Sequence, residues 1–502
     1  MLHRFRGLAS ASLVLALAGT AALSAQQKST PPASLQSQLD AWFTRAARAA
    51  PGQWGVAVGD ETGLLLWSVN ATTPLIPAST VKLFTTGFAR TVLGPEARQV
   101  TRVVGTGYAD PESGTWIGSW ALELNGDPTL ERPLRSGPML GDLAAQLAGV
   151  GVRRLMGPLI LQSVSGGTES SFPAVWASRH RGQSYAPLIG AVTLNEGLIS
   201  FNVAPGSSPS QTPYISASSP GGLEHLVTIN AKTVAGTRDR LRINVTPDGR
   251  YLVSGSIGNR SRVRRYAGTA RNSRAVLEAT WRSALQTAGI EWVQTPALGS
   301  PASTFGQLTL AEIVSAPFDS IAAEVNARSM NIGAEALLRW AGGTMEEGAR
   351  KLTAHVRMVT GEDVGVHLVD GSGLSTDDRA SAYTFMKYLA RFPGTAQGHN
   401  FPLLLPANGD GTLKQLSGAA LGQGVVRAKT GTLGNVSSLV GYLGHRDGML
   451  VVSVIYNGGR VYSAKQQQWA LFKTLGAQGA PVFQEAATEQ GGGEDISNPP
   501  PR

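Results

Sequence analysis

Cysteine is absent from the 502 residues. That excludes a disulfide scaffold, a Cys-ligated zinc or iron–sulfur site, a thiol nucleophile and a lipidated N-terminal cysteine. Lysine is scarce, nine of the 43 basic residues, so any motif built on lysine carries more information than usual. The 7 histidines form no H-E-x-x-H and no close pair, which argues against metal-assisted hydrolysis. No metal and no cofactor is implied. Although Gly 61 and Pro 28 are high counts, no G-X-Y period runs through them, so collagen is excluded. After the first 25 residues no apolar run is long enough to span a bilayer.

What is present is a chain long enough for two to four domains, 42% hydrophobic and therefore able to build sizeable cores. Arg4 and Arg6 precede an Ala/Leu-rich run from Leu8 to Leu23, with small residues at Ala22, Ser24 and Ala25. This is the pattern of a secretory signal peptide over 1–25, the alternative being an uncleaved anchor. The expected location is the periplasm or cell envelope. The full chain carries a net charge of +9, and loss of Arg4 and Arg6 with the signal peptide would leave about +7; an exported basic protein does not meet chromosomal DNA, so its anionic partner is expected in the envelope, not a nucleic acid.

Residues 26–36 read as a polar lead-in. Trp54 to Trp67 reads as a hairpin around Gly59–Gly63. Apolar residues at Val81, Phe84, Phe88 and Val92, after Pro77, predict a helix starting near Ser79. From 95 to 310 short Val/Ile/Leu/Thr runs are broken by Gly, Pro, Ser and Asn. The runs 194–206, 223–230, 240–245 and 251–257 are strand-like, and one helix is expected, over 274–288. This block reads as a β-rich insertion of two modules, the inner one spanning 197–260. Helices return after 310: Thr344 and Glu347 form a capping box, and another helix over 381–391 stops at Pro393. VVRAKTG, NVSSLVGYL and MLVVSVIY then predict adjacent antiparallel strands. The tail 484–502 is polar and Gly/Pro-rich, a composition expected to be disordered.

Three motifs carry chemistry. Ser79-Thr80-Val81-Lys82 is an S-x-x-K, and Lys82 is the one lysine with a serine three residues before it. At i, i+3 on a helix, hydroxyl and amine share a face, so the amine can take the hydroxyl proton. Burial and nearby positive charge, including that of Lys429, are expected to lower the lysine pKa toward neutrality. Ser329-Met330-Asn331 is an S-x-N before a helical run. Lys429-Thr430-Gly431-Thr432 follows a strand-like segment; its cation and hydroxyls suit a carboxylate, and Gly431 would let a substrate backbone come close. Ser372, in DGSGLS, lacks a G-x-S-x-G elbow and reads as a turn beside the site.

The set S-x-x-K, S-x-N, K-T-G, in that order and on those elements, resembles the serine β-lactamases and penicillin-binding proteins. The stretch of roughly 250 residues between Lys82 and Ser329 is too long for a plain β-lactamase. The chain resembles the class C low-molecular-mass penicillin-binding proteins, the D-Ala-D-Ala carboxypeptidase/endopeptidase family. GDPTL (126–130), LNEG…APG (194–206), SAPFDSIAAEVNARSMNIGAEALLR (315–339), DGSGLS (370–375), LPANGDGTLKQL (405–416) and AKTGTL (428–433) carry this resemblance.

It implies an α/β fold: a transpeptidase-like catalytic domain from 26–94 and 311–483, an antiparallel sheet with helices on its faces, interrupted by the 95–310 insertion. It implies an acyl-enzyme on Ser79 with Lys82 as base. Ser329 would relay a proton, Asn331 would hold Lys82 and the substrate amide, and Lys429 would orient Ser329. Thr430, Gly431 and Thr432 would bind the substrate carboxylate end, and Asp127 the amine of the third stem-peptide residue. The implied partners are peptidoglycan stem peptides, with β-lactams as inhibitors. Carboxypeptidase and endopeptidase action both remain open. A non-catalytic penicillin-binding envelope module and, less well, a β-lactamase are the alternatives. Two departures from the family are Met330, where an acid is usual, and Asp377-Asp378, where a basic residue is usual and which would alter the rim of the site.

Overall fold

The C-terminal β-branched runs form strands Val426–Leu433, Val436–His445 and Gly448–Asn457, an antiparallel meander. The N-terminal hairpin, Gln53–Asp60 and Leu65–Val69, adds to its far edge by pairing Gln53 with Asn457 through Asp60 with Leu450. The result is one five-stranded antiparallel sheet made from the two ends of the chain, with the K-T-G strand at one edge. The computed structural model describes residues 33–482 except 134, 165–166, 296–306, 362–364, 417–420, 447 and 477–481. The expected signal peptide and the expected disordered tail lie outside the described residues.

Helices cover both faces of this sheet. Ala33–Ala49 and Val461–Thr474 pack on one face, where Leu39, Trp42, Leu471 and Phe472 are buried against Val56, Val58, Val452 and Val454. The lead-in read as polar therefore turns helical from Ala33; the burial of Leu39, Trp42 and Ala46, spaced 3 and 4 apart, overrides the polar start. On the other face Ala382–Arg391, capped by Ser381, packs with the S-x-x-K helix Val81–Leu93; Phe84 and Phe385 stack at 4.2 Å. Thr344 caps Met345–Thr360 by accepting the Glu347 N–H, one half of the expected capping box, while the Glu347 carboxylate pairs with Lys351 at 2.8 Å. Among the described residues, no helix is long and apolar enough to cross a membrane.

Between the S-x-x-K helix and Phe318–Arg328 a separate apolar cluster runs from Val103 to Ile313. It is built on short strands, as composition implied, but two readings need correction. A second helix, Leu140–Gly149, buries Leu140, Leu143, Ala144 and Leu147. The run read as a strand from 223 begins with a helical turn, Leu223–Leu226, after the left-handed Gly222, and extends only from Val227 to Val234. Strand Leu308–Val314 pairs with Val100–Ala109 and contributes Ala311 and Ile313 to this cluster, so the chain leaves it only after Val314.

The sheet's outer helical layer hangs on Trp42. The ring is fully buried, lies edge-on to Trp54 and Trp67, and donates its indole N–H to the Gln467 carbonyl at 2.9 Å. Trp42→Ala is expected to cost about 3–5 kcal/mol of stability by denaturant unfolding. The folded fraction should keep its full chemistry, because the active-site groups lie elsewhere.

Candidate active site

Pro77 leads into a helical turn, Ala78–Thr80, that continues as Val81–Leu93, so Ser79 stands at a helix start. Ala78 is held at φ 51, a left-handed conformation that costs a non-glycine residue about 1–2 kcal/mol. The turn is fixed by three contacts. Pro77 O accepts from Thr80 Oγ1 at 2.7 Å and from Ser438 Oγ at 2.6 Å, while Gly373, at φ 74, presses on Ala78. One turn further on, Lys82 is fully buried.

The Lys82 ammonium donates three hydrogen bonds: to Ser79 Oγ at 2.9 Å, to Asn331 Oδ1 at 2.7 Å and to the Ser372 carbonyl at 2.6 Å. Lys429, equally buried on the edge strand, donates to Ser329 Oγ at 3.0 Å and to the Thr430 carbonyl at 2.7 Å. Ser329 follows the helix Phe318–Arg328 in a left-handed conformation (φ 57, ψ 43), and Asn331 opens the next helix, Asn331–Gly342. Asn331 Nδ2 donates to the Tyr185 carbonyl at 2.8 Å, which ties the site to the 172–189 segment. The five residues expected to be catalytic are thus gathered as two hydrogen-bonded groups, Ser79–Lys82–Asn331 and Ser329–Lys429, which the S-x-N segment joins through the chain. Thr430 is half-buried and Thr432 exposed, both on the edge strand.

Gly431 is explained differently from the expectation. A Cβ there would meet Ser438 Oγ at 2.1 Å, Pro77 O at 2.8 Å and Ser79 N at 3.0 Å. The backbone that comes close to Gly431 is the S-x-x-K turn, and it fills the space a side chain would need. Asp127 is 3% exposed and its Oδ1 accepts from Thr129 N and Oγ1 at 2.7 and 2.6 Å. No hydrogen bond joins it to the constellation among the described residues. Its Oδ2 is buried without a partner there, and burial raises its carboxyl pKa.

Beneath Lys82 lies a group that motif reading did not single out. Asp370 accepts N–H bonds from Ser372, Gly373 and Ser375 and from the Trp176 indole, and so folds the DGSGLS turn into shape. Glu335 accepts from Gly371 N through both oxygens at 3.1 Å, and Asp378 accepts from Val369 N at 2.8 Å. Glu335, Asp370 and Asp378 are all fully buried. Asp378 is therefore not on the rim, where it was expected; only Asp377 is exposed. The signal in the sequence was the acid within AEALLRW, out of place in an apolar helical run. Ser372 is a turn residue, as read, but its carbonyl is a direct partner of Lys82.

Burial lowers the Lys82 pKa to about 8, against the opposing charges of Asp370, Glu335 and Asp378. The expectation that Lys429 would help lower it is reversed: burial and then the Lys82 charge push Lys429 well below the ordinary lysine range. Burial and the Asp370 charge raise Glu335 to about 8. The site therefore offers an amine with a substantial neutral fraction near neutral pH, hydrogen-bonded to a serine hydroxyl.

Two outcomes follow from this geometry. If neutral Lys82 accepts the Ser79 proton, acylation should rise about tenfold per pH unit below pH 8 and level off above it; Lys82→Arg, permanently protonated, should lose at least about 10²-fold on the plateau above pH 8 and should lack the rise below it. Stopped-flow acylation over pH 5–10 checks both. Gly373→Ala places a Cβ 2.0 Å from the Ala78 carbonyl at a left-handed φ. It should displace the S-x-x-K turn, lowering both acylation rate and melting temperature.

Comparison with known proteins finds relatives over most of the chain. Residues 35–475 match the family model of the D-Ala-D-Ala carboxypeptidase 3 (S13) family. A D-alanyl-D-alanine carboxypeptidase from Actinomadura sp. (strain R39) is 27% identical over 447 residues, 84% of this chain and 81% of that one. Penicillin binding protein 4 from Haemophilus influenzae superposes with a TM-score of 0.66 at 19% identity, over 86% of this chain and 99% of that one. Its complex with a β-lactam superposes at 0.65 and 20% identity, over 86% and 98%. These structural likenesses establish the shared fold.

Proposed function

We infer the reaction from one premise: the chain belongs to the D-Ala-D-Ala carboxypeptidase 3 (S13) family and is a serine-type carboxypeptidase. The substrate class we propose is the peptidoglycan stem peptide, cleaved at its D-Ala-D-Ala amide, with Ser79 as nucleophile. The observation that carries this reading is the 2.9 Å contact between Lys82 Nζ and Ser79 Oγ. When Lys82 is neutral it has two N–H donors and one lone pair. Asn331 Oδ1 and the Ser372 carbonyl, which can only accept, hold the two donors, so the lone pair faces the Ser79 hydroxyl.

In acylation Ser79 Oγ bonds to the carbonyl carbon as its proton passes to Lys82. The developing oxyanion lies between the backbone N–H groups of Ser79 and Thr432. Ser329 Oγ gives its proton to the leaving amine as the C–N bond breaks, and Lys82 reprotonates Ser329. D-Ala departs, and water hydrolyses the ester to free Ser79. The terminal carboxylate of the substrate meets Thr430 and Thr432 beside Lys429, and its negative charge supplies the counter-ion that burial denies Lys429. Contact of Asp127 with a stem amine would use Oδ2, the oxygen without a partner among the described residues. A β-lactam, whose amide mimics the scissile bond, would acylate the same serine and persist. The 95–310 insertion, signal-directed export and action in the cell envelope belong to the same proposal.

The other readings fare worse. A non-catalytic binding module has no need of two buried lysines hydrogen-bonded to two serines. Fast β-lactam hydrolysis needs a second base for the deacylating water, and no Asp or Glu bonds to Ser79 among the described residues.

Labelled penicillin should add its mass to a single peptide containing Ser79, and Ser79→Ala should abolish both the adduct and D-Ala release from a stem pentapeptide. Mass spectrometry of digested adducts checks this; an adduct on Ser372 instead would refute it.

A further inference from the structure

The LNEG turn, 194–197, belongs to the insertion and is not used by the chemistry above. It contains three successive left-handed residues: Asn195 at φ 46, Glu196 at φ 59 and Gly197 at φ 71. Only the last is glycine, so the backbone carries strain at the first two. This strained turn lies against both flanks of the S-x-N motif. Ahead of Ser329, Glu196 accepts from Arg328 through both oxygens, at 2.6 and 2.7 Å. Beyond Asn331, Gly197 packs so tightly that a Cβ would lie 2.6 Å from Pro187 and 3.3 Å from Ile332.

A second insertion segment closes the arrangement. Arg132, 5% exposed, donates to both oxygens of Glu324 at 2.9 Å and lies 3.4 Å from Glu196. Glu324 also accepts from Arg328 one helical turn later, at 2.7 Å. The Asn195 N–H donates to the Leu130 carbonyl, which joins the two insertion segments to each other. The guanidiniums of Arg132 and Arg328 and the carboxylates of Glu196 and Glu324 therefore alternate in a partly dry cluster, half from the insertion and half from the helix that precedes Ser329, with the more exposed Arg135 also on Glu324 at 3.3 Å. Paired, bidentate geometry of this kind is directional, and removing one partner leaves a desolvated charge. Arg328 also donates to Met330 Sδ at 3.1 Å, so the residue that the cluster fixes grips the S-x-N loop on both sides of Ser329. Ser329 itself is left-handed, a conformation that needs support from its surroundings.

We propose that Glu196 and Arg132, supplied by the insertion, are positioning residues for acyl transfer: they clamp Arg328 and thereby hold Ser329 in reach of Lys429. The insertion then completes the S-x-N arm of the active site. This rests on the reading that Ser329 relays the proton.

The experiment measures penicillin acylation rate against concentration for Glu196→Gln, Arg328→Gln, the double variant and Ser329→Ala, alongside melting temperature. Gln keeps the size of Glu and tolerates the same backbone, but cannot form the ion pair. Each single variant should lower the saturating acylation rate about tenfold, with half-saturating concentration changed less than twofold. The double variant should be no slower than the slower single, because both remove one contact. Ile257→Val and Leu277→Ala, in the insertion core, are stability controls: they should lower melting temperature while acylation stays within twofold of wild type. Wild-type rates in Glu196→Gln, multiplying effects in the double variant, or equal slowing in the core controls would each overturn the clamp. Wild-type acylation in Ser329→Ala would remove the proton-relay reading, and the clamp with it; slow acylation there with wild-type rates in Glu196→Gln would remove the clamp alone.

Discussion

A lysine side chain with no exposure to water is the constraint around which this active site is built. Burying an ammonium group is costly, and its charge survives in a dry site only if acceptors surround it. Lys82 meets that requirement with two serine oxygens, one from a side chain and one from the backbone, an asparagine oxygen, and three carboxylates behind them. Each acceptor belongs to a different part of the chain. The geometry of the S-x-x-K helix, the DGSGLS turn and the S-x-N helix start is thus tied to one cation. Burial pushes the amine toward its neutral form and the carboxylates pull it back; the balance leaves it near pH 8, where it can exchange a proton with a hydroxyl.

Close backbone approach is the second requirement. Gly373 and Gly431 lie against the same short turn, one on Ala78 and the other on Pro77 and Ser79. Neither position has room for a Cβ. The glycine of K-T-G therefore brings the edge strand against the turn that carries Ser79, and the lysine two residues earlier reaches Ser329 from there. The five-stranded sheet provides the rigid surface on which this happens, held by buried aromatic and aliphatic side chains on both faces.

The stretch between the S-x-x-K helix and Phe318–Arg328 has its own apolar cluster, yet it reaches the candidate site. Tyr185 O holds Asn331, Trp176 holds Asp370, and Glu196 and Arg132 engage the helix before Ser329. Residues that lie between the S-x-x-K and S-x-N motifs in sequence thus support both motifs in the fold.

The sequence by itself determined the elements whose cause is local. The S-x-x-K spacing puts hydroxyl and amine on one helix face whatever lies around them, and the Thr344 cap, the three final strands and the hairpin follow from short-range periodicity and turn chemistry. It also singled out the candidate catalytic set, because three short motifs in a fixed order resemble one family. Tertiary structure alone decided what depends on distant partners. The helix beginning at Ala33 becomes legible once Leu39, Trp42 and Ala46 have a sheet to cover. Glu335 stands out in its apolar helical run and Asp378 as a departure from the family, but only packing shows that both are enclosed behind Lys82. Gly431 reads as an opening for substrate until the Pro77–Ser79 turn is seen to fill it. Glu196 and Arg328, 132 residues apart, become a pair only when the insertion folds back onto the helix that carries Ser329. Burial and long-range charge pairing are properties of the folded surroundings, and no local pattern of residue types records them.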